Sequence, residues 1–209
     1  MKGPTSMRPD TRDRLVAILR QAADEASSAL SKWLGRATTI TVKDVAEVPI
    51  GEAAVALGSG DEVLCVCAMH VEGDMPGVLA LATSDASGLA LADLLLGRPA
   101  GTAVEWGDLE RSAAAETTNI IGCAYLNAVA TQAAAGSAES RLIPSPPWFV
   151  RDYPESVMGS IAMTQASATD GVFLTKTVFG VEGTAIRCSL VFVPQSVAAQ
   201  AGGFEDSPR

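Results

Sequence analysis

A weak internal repeat limits the folds open to this chain more than any other feature. A long helix-patterned segment, a strand and a hairpin marked by Val-Glu-Gly occur twice. The tripeptides are Val71-Glu72-Gly73 and Val181-Glu182-Gly183. At an offset of 99 residues the helix-patterned segments bring Ala29-Leu30-Ser31 onto Ala128-Val129-Ala130. Two related halves predict a pseudo-twofold single domain whose two long helices present comparable faces. A chain of 209 residues has room for one domain or two small ones and can bury a substantial core. The repeat favours one domain over residues 11–195, with halves at about 11–97 and 104–195.

The elements follow from periodicity and breakers. Leu15, Ile18, Leu19, Ala22, Ala26, Leu30, Trp33 and Leu34 recur at three- and four-residue steps, which predicts a helix over 11–34 with one buried face. Gly35 is a stop signal. Residues 38–48, rich in Thr, Val and Ile and closed by Pro49-Ile50-Gly51, predict a strand. The apolar runs 62–71 and 77–83 predict an antiparallel hairpin, turned at Val71-Glu72-Gly73 with Asp74 and Pro76 following. Ser84 or Asp85 caps a short helix ending at Leu96, and Gly97 with Pro99 closes it. A second long helix spans about 106–134, with Asp108 and Glu110 where the helix dipole favours anions. Residues 133–140 read as a loop, and Pro144, Pro146 and Pro147 as extended backbone. Residues 154–165 read as a short helix, and 171–179 with 184–193 as a closing hairpin turned at Val181-Glu182-Gly183. Residues 1–10 read as a disordered lead and 196–209 as a loose tail. The class is mixed α+β: two long helices packed on a largely antiparallel sheet.

Composition excludes several chemistries. The charge sum is −9, which disfavours nucleic acid and anionic membranes as partners, both being polyanions. A single histidine, His70, rules out a multi-histidine metal site. The four cysteines include no C-x-x-C pair, so zinc and thioredoxin-like readings lack their spacing. All four sit among apolar neighbours, as free thiols in a reducing cytoplasm do. No signal-peptide h-region and no apolar run of membrane-spanning length is present. A Cys65 or Cys67 nucleophile with His70 as base fails on geometry. Alternation sends both thiols to one face of the strand and His70 to the other.

Chemistry concentrates on the second long helix. Ser112, Glu116 and Asn119 stand at i, i+4 and i+7, within roughly 60° of one another. By spacing alone such a stripe is what a solvated helix face carries. Its residue types are less ordinary. Ser112, Thr117, Thr118 and Asn119 are poor helix formers where Lys or Gln would serve better. A short Asn also holds a donor and an acceptor close to the backbone, suited to orienting a water.

The run Ser112-x-x-x-Glu116-x-x-Asn119, followed by Ile120 and Tyr125-Leu126-Asn127-Ala128, resembles the signature of the CheC/CheX/FliY chemotaxis phosphatases, and the CheC branch most. The resemblance extends to Ile143-Pro144-Ser145-Pro146-Pro147 and to the stretch from Ser28 to Arg36 followed by Ile40-Thr41-Val42. It also covers Gly77-Val78-Leu79-Ala80-Leu81 and the stretch from Ala90 to Gly97. It implies an enzyme that speeds hydrolysis of the aspartyl phosphate of a CheY-type receiver. Glu116 would pair with the receiver's lysine and Asn119 would position water for in-line attack. Ser112 and Pro144 would support them. Mg²⁺ would belong to the receiver, with no cofactor or metal in this chain. At the same offset Asp13 stands opposite Ser112, Ala17 opposite Glu116 and Arg20 opposite Asn119. The first helix would therefore hold a degenerate site. The alternative is a non-catalytic adaptor for a receiver domain or for a CheD-like deamidase.

Overall fold

Leu64 to Met69 are six consecutive buried residues of one strand. Neighbouring side chains of a strand point to opposite faces, so such a run needs cover on both sides of its sheet. In the computed structural model, which describes residues 9–57, 61–134, 141–164, 171–181 and 184–194, both covers are present. In chain order the elements are α1 (Pro9–Leu34), β1 (Thr38–Pro49), α2 (Ile50–Leu57), β2 (Leu64–Gly73), β3 (Gly77–Ser84) and α3 (Asp85–Leu95). There follow α4 (Asp108–Ala134), β4 (Leu142–Pro144), β5 (Trp148–Asp152), α5 (Pro154–Thr164), β6 (Gly171–Val181) and β7 (Thr184–Pro194).

Helices α1, α3 and α4 cover one face, α2 and α5 the other. Met69, Leu79, Leu81 and Leu190 join Leu19, Ala26, Leu30, Leu91, Ile121 and Tyr125 in the first core. Val66, Ala68, Val78 and Ala80 join Ala53, Val157 and Ile161 in the second. Burying one large aliphatic such as the fully inaccessible Leu30 contributes about 1.5–3 kcal/mol. No helix among the described residues is long and apolar enough to cross a membrane.

The sheet order is β1-β6-β7-β3-β2, with β4 and β5 both on the outer edge of β2. Every pairing is antiparallel. Read from either end, the order is edge strand, hairpin, hairpin, edge strand. β1 of the first half pairs with β6 of the second, Thr38 opposite Val181. β4 and β5 of the second half pair with β2 of the first, Val71 opposite Pro144. The edge strands are thus exchanged between halves.

Helix α1 is tied to β1 by two serines one turn apart. Ser27 Oγ accepts from Ile40 N at 2.8 Å, and Ser31 Oγ accepts from Thr38 N at 2.9 Å. Gly35 and Gly97, the two predicted stops, have φ of +63° and +66°, the left-handed region where glycine carries no Cβ penalty. Ser84 caps α3, its Oγ accepting from Ser87 N at 3.3 Å.

Three local expectations are corrected, and a fourth, the extended backbone around the prolines, is made more specific. The strand does end at Pro49, but a helix, α2, starts at once; eight residues gave too little periodicity to show it. Helix α1 begins at Pro9 inside the predicted lead, since proline suits a first helical turn where its missing N–H is not needed. Val71-Glu72-Gly73 is not a turn. It continues β2 past the end of β3 to meet β4, and the hairpin closes between Val71 and Gly77. The stretch around the three prolines is an edge strand in two pieces, β4 and β5. Between them Ser145 bonds to His70: Ser145 N donates to His70 O at 2.8 Å and His70 N donates to Ser145 Oγ at 3.0 Å. The loop expected over 133–140 is also corrected at its start, since Ala133 and Ala134 end α4; its remainder, the turn expected at Glu182-Gly183 and the tail expected over 196–209 lie outside the described residues.

Gly73 has φ of +114°, and a Cβ there would collide with the Arg141 carbonyl oxygen. Gly73→Ala is expected to destabilise the fold by about 1–3 kcal/mol, read as a lower urea midpoint. An unchanged midpoint would refute the close approach of β2 and β4.

Candidate functional site

Helix α4 presents its stripe to solvent because its other sides are occupied. Ala113, Thr117, Ile121, Gly122 and Tyr125 are buried, while Ser112 and Glu116 are exposed and Asn119 is half-buried. The chain therefore displays Ser112, Glu116 and Asn119 together, as their spacing predicts. The two threonines beside them have a different explanation. Thr117 Oγ1 donates to Ala113 O and Thr118 Oγ1 to Ala114 O, each at 2.9 Å. They face the core and satisfy themselves on the preceding turn.

Asn119 Oδ1 accepts from the Cys123 thiol at 3.6 Å, and its NH₂ meets no partner among the described residues. Burial, with the Glu116 charge nearby, raises the Cys123 pKa. The thiol thus stays protonated and can donate to the carboxamide. Glu116 makes no ion pair among the described residues. The face offers a carboxylate open to a cation and, one turn on, a carboxamide able to bind water. Pro144 lies apart from the stripe, on the sheet edge opposite Val71, though α4 packs against its strand.

At the 99-residue offset the buried faces of α1 and α4 coincide. Leu19, Ala22, Ala23 and Ala26 are buried, as are Thr118, Ile121, Gly122 and Tyr125. Asp13, Ala17 and Arg20 are exposed. The first helix offers the matching face without the matching carboxylate and amide.

A network absent from the sequence reading anchors the start of α4. The Asp85 carboxylate accepts from Arg151 Nε at 2.9 Å, from an Arg151 terminal nitrogen at 2.6 Å, from Trp106 Nε1 at 2.9 Å and from Cys65 Sγ at 2.8 Å. Arg151 beside it holds the Asp85 carboxyl well below the usual carboxylate range. Trp106 meets the Phe149 ring at 4.8 Å, and the Arg111 guanidinium sits 5.6 Å from that ring. Arg98 pairs with Glu110 in the first turn of α4. The sequence reading touched this network at two points, Asp85 as a helix-cap candidate and Trp106 as the expected start of the second long helix. Their partner Arg151, sixty-six positions from Asp85, had none.

The thiol–histidine alternative finds no support. Burial and the bond to Asp85 raise the Cys65 pKa, and burial pushes the Cys67 thiol up to about 11. His70 is exposed and stacks on Trp148 at 4.6 Å. It lines a cleft of about 290 Å³ with Val66, Ala68 and Ile161, on the sheet face away from α4.

No family model and no curated protein matches the chain. Solved structures match it in fold. FliY from Thermotoga maritima superposes with a TM-score of 0.73 at 18% identity, covering 90% of this chain and 91% of that one. The FliM middle domain from H. pylori gives 0.64 at 15% identity, covering 90% and 94%. The FliG–FliM complex from H. pylori gives 0.58 at 14% identity, covering 90% and 94%. The fold is that of FliY and the FliM middle domain. Helices packed on an open sheet, as expected from the sequence, are thus the architecture of the CheC/FliY/FliM fold family. The likeness at these identities is one of fold, and it does not favour the CheC branch over FliY and FliM.

The Asp85 network makes a pH-dependent contribution to stability. A carboxyl held below its ordinary value of about 4 stabilises the fold fully above that value and loses the contribution as pH falls. Asp85→Asn is expected to lower Tm at pH 7, with the gap to wild type closing as pH falls below about 4. A gap at pH 2 as large as the one at pH 7 would show that the ion pair is not its source.

Proposed function

We propose that this chain accelerates hydrolysis of the aspartyl phosphate of a CheY-type receiver in chemotaxis signalling, through a single site on α4. The observation that carries the reading is the pairing of an exposed Glu116, with no ion pair among the described residues, with the half-buried Asn119 carboxamide on one helix face. Phosphoryl transfer from an aspartyl phosphate needs little covalent chemistry from the second protein; positioning and charge complementarity suffice. Glu116 docks against the receiver's lysine. Asn119 enters the receiver's site and holds a water in line with the phosphorus. The receiver brings its own Mg²⁺. The Cys123 thiol, bonded to Asn119 Oδ1, steadies the carboxamide plane. Ser112 borders the contact, and Pro144 ends the short strand beside α4. Asp13, Ala17 and Arg20 leave the first helix without a docking acid or an orienting amide. The cytoplasm is the compartment that suits four free thiols.

The second reading is an adaptor without catalysis. It is favoured by the likeness to FliM, a protein of the same fold solved in complex with FliG. In that case a receiver or a CheD-like deamidase binds and phosphate decay is unchanged.

Phosphate release from a phosphorylated CheY-type receiver separates the two. Wild-type protein is expected to speed decay. Asn119→Ala should lower the stimulated rate by roughly 10²-fold while binding persists. Glu116→Ala should weaken binding by roughly tenfold, more at low salt. An Asn119→Ala variant that stimulates like wild type would sink the mechanism.

A further inference from the structure

Residues 96–107, between α3 and α4, have no regular secondary structure, yet they are held at many points. Asp93, 1% exposed, accepts from Thr102 N at 2.8 Å and from Ala103 N at 2.9 Å. Its own carbonyl accepts from Arg98 N at 2.8 Å, and Thr102 Oγ1 donates to Pro99 O at 2.6 Å. The Arg98–Glu110 and Trp106–Asp85 contacts fix the loop to both helices. A connection this constrained loses little entropy when something binds it.

This ordered connection and the first turn of α4 display two large apolar side chains. Val104 is 84% exposed and Leu109 58% exposed. Single exposed hydrophobics are common. The placement of Leu109 is what distinguishes it. At about 100° per residue it lies within roughly 20° of Glu116 and 60° of Ser112, about 10 Å along the axis from Glu116. The stripe is therefore a carboxylate and a carboxamide with an apolar knob at one end. Arg111, about 140° round the helix from Glu116, sits over Phe149 and takes no part in the stripe.

We infer that Leu109 and Val104 are the apolar anchor by which the receiver docks on the Glu116–Asn119 face, an inference that rests on the receiver reading above. The matching partner surface is an apolar patch beside a pocket whose ammonium meets Glu116. Affinity and choice of receiver then reside in the anchor, and rate resides in Asn119. Preorganisation by Asp93 lets two modest side chains serve as the centre of an interface.

The test uses the full chain and a panel of CheY-type receivers held in the phosphorylated form by beryllofluoride and Mg²⁺. Binding is measured by titration, and stimulated dephosphorylation is measured separately against receiver concentration. Leu109→Ser is expected to raise both the dissociation constant and the half-saturating concentration by roughly tenfold. Its rate at saturation should change less than twofold. Val104→Ser should act in the same direction, more weakly. Val55→Ser, an equally exposed apolar position on the opposite sheet face, should change neither. Wild-type affinity in Leu109→Ser, or a loss confined to the rate at saturation, overturns the anchor and leaves the phosphatase reading standing. Binding without stimulation by wild type, weakened by Leu109→Ser, does the reverse. A wild type that binds no receiver in the panel overturns the anchor's assigned partner.

Discussion

Everything in this molecule depends on the exchange of edge strands between its halves. Each half makes a hairpin and an edge strand, and the edge strand of each pairs with the hairpin of the other. The consequence is physical. Neither half can satisfy the backbone groups of its own sheet, so the two must fold as one unit. The pairing of Thr38 with Val181 closes most of the chain length in a single ladder. Such non-local pairing is slow to form but leaves no boundary at which one half could loosen alone. The same sheet sets α1 and α4 side by side on one face, and α4 packs on strands from both halves.

Within that shared frame the halves have diverged where divergence costs least. Four buried positions of α1, Leu19, Ala22, Ala23 and Ala26, fall on buried positions of α4 at the 99-residue offset. The exposed positions do not match. Ala17 stands where the second half has Glu116, and Arg20 where it has Asn119. Exposed substitutions of this kind seldom cost more than about 0.5 kcal/mol, so the scaffold is indifferent to which helix carries a polar stripe. One element breaks the symmetry outright. Helix α3 and the connection after it have no counterpart among the described residues of the second half. They pack against the start of α4 and give that helix a neighbour that α1 lacks.

The sequence was informative wherever one residue's chemistry settled a local question. Gly35 and Gly97 stop helices at positive φ. Ser84 caps α3. The three-four spacing of α1 names its buried side, and the unbroken apolar run of β2 marks a strand covered on both faces. The 99-residue offset superposes the buried faces of two helices. Information failed where structure rests on partners far apart in the chain. The Asp85–Arg151 pair joins a helix start to an edge strand, and nothing near either residue announces the other. The Val-Glu-Gly tripeptide looked like a turn because turns are rich in glycine. Gly73 is required instead because the Arg141 carbonyl presses on it. Helix α2 was too short to show a period. On α4 the spacing located the exposed stripe, while Thr117 and Thr118, singled out for the same polarity, belong to the core.

The break between β4 and β5 has a consequence for the molecule in a crowd. An uninterrupted outer strand would present a row of free N–H and C=O groups to any other extended chain. Here Ser145 turns its own groups back onto His70, and Pro146 and Pro147 have no N–H to offer. On the far side β1 carries a register shift between Val42 and Asp44, which kinks the ladder. Both rims of the sheet are thereby poor templates for strand addition. An extended chain that approaches either border finds a broken row of partners rather than a continuous one.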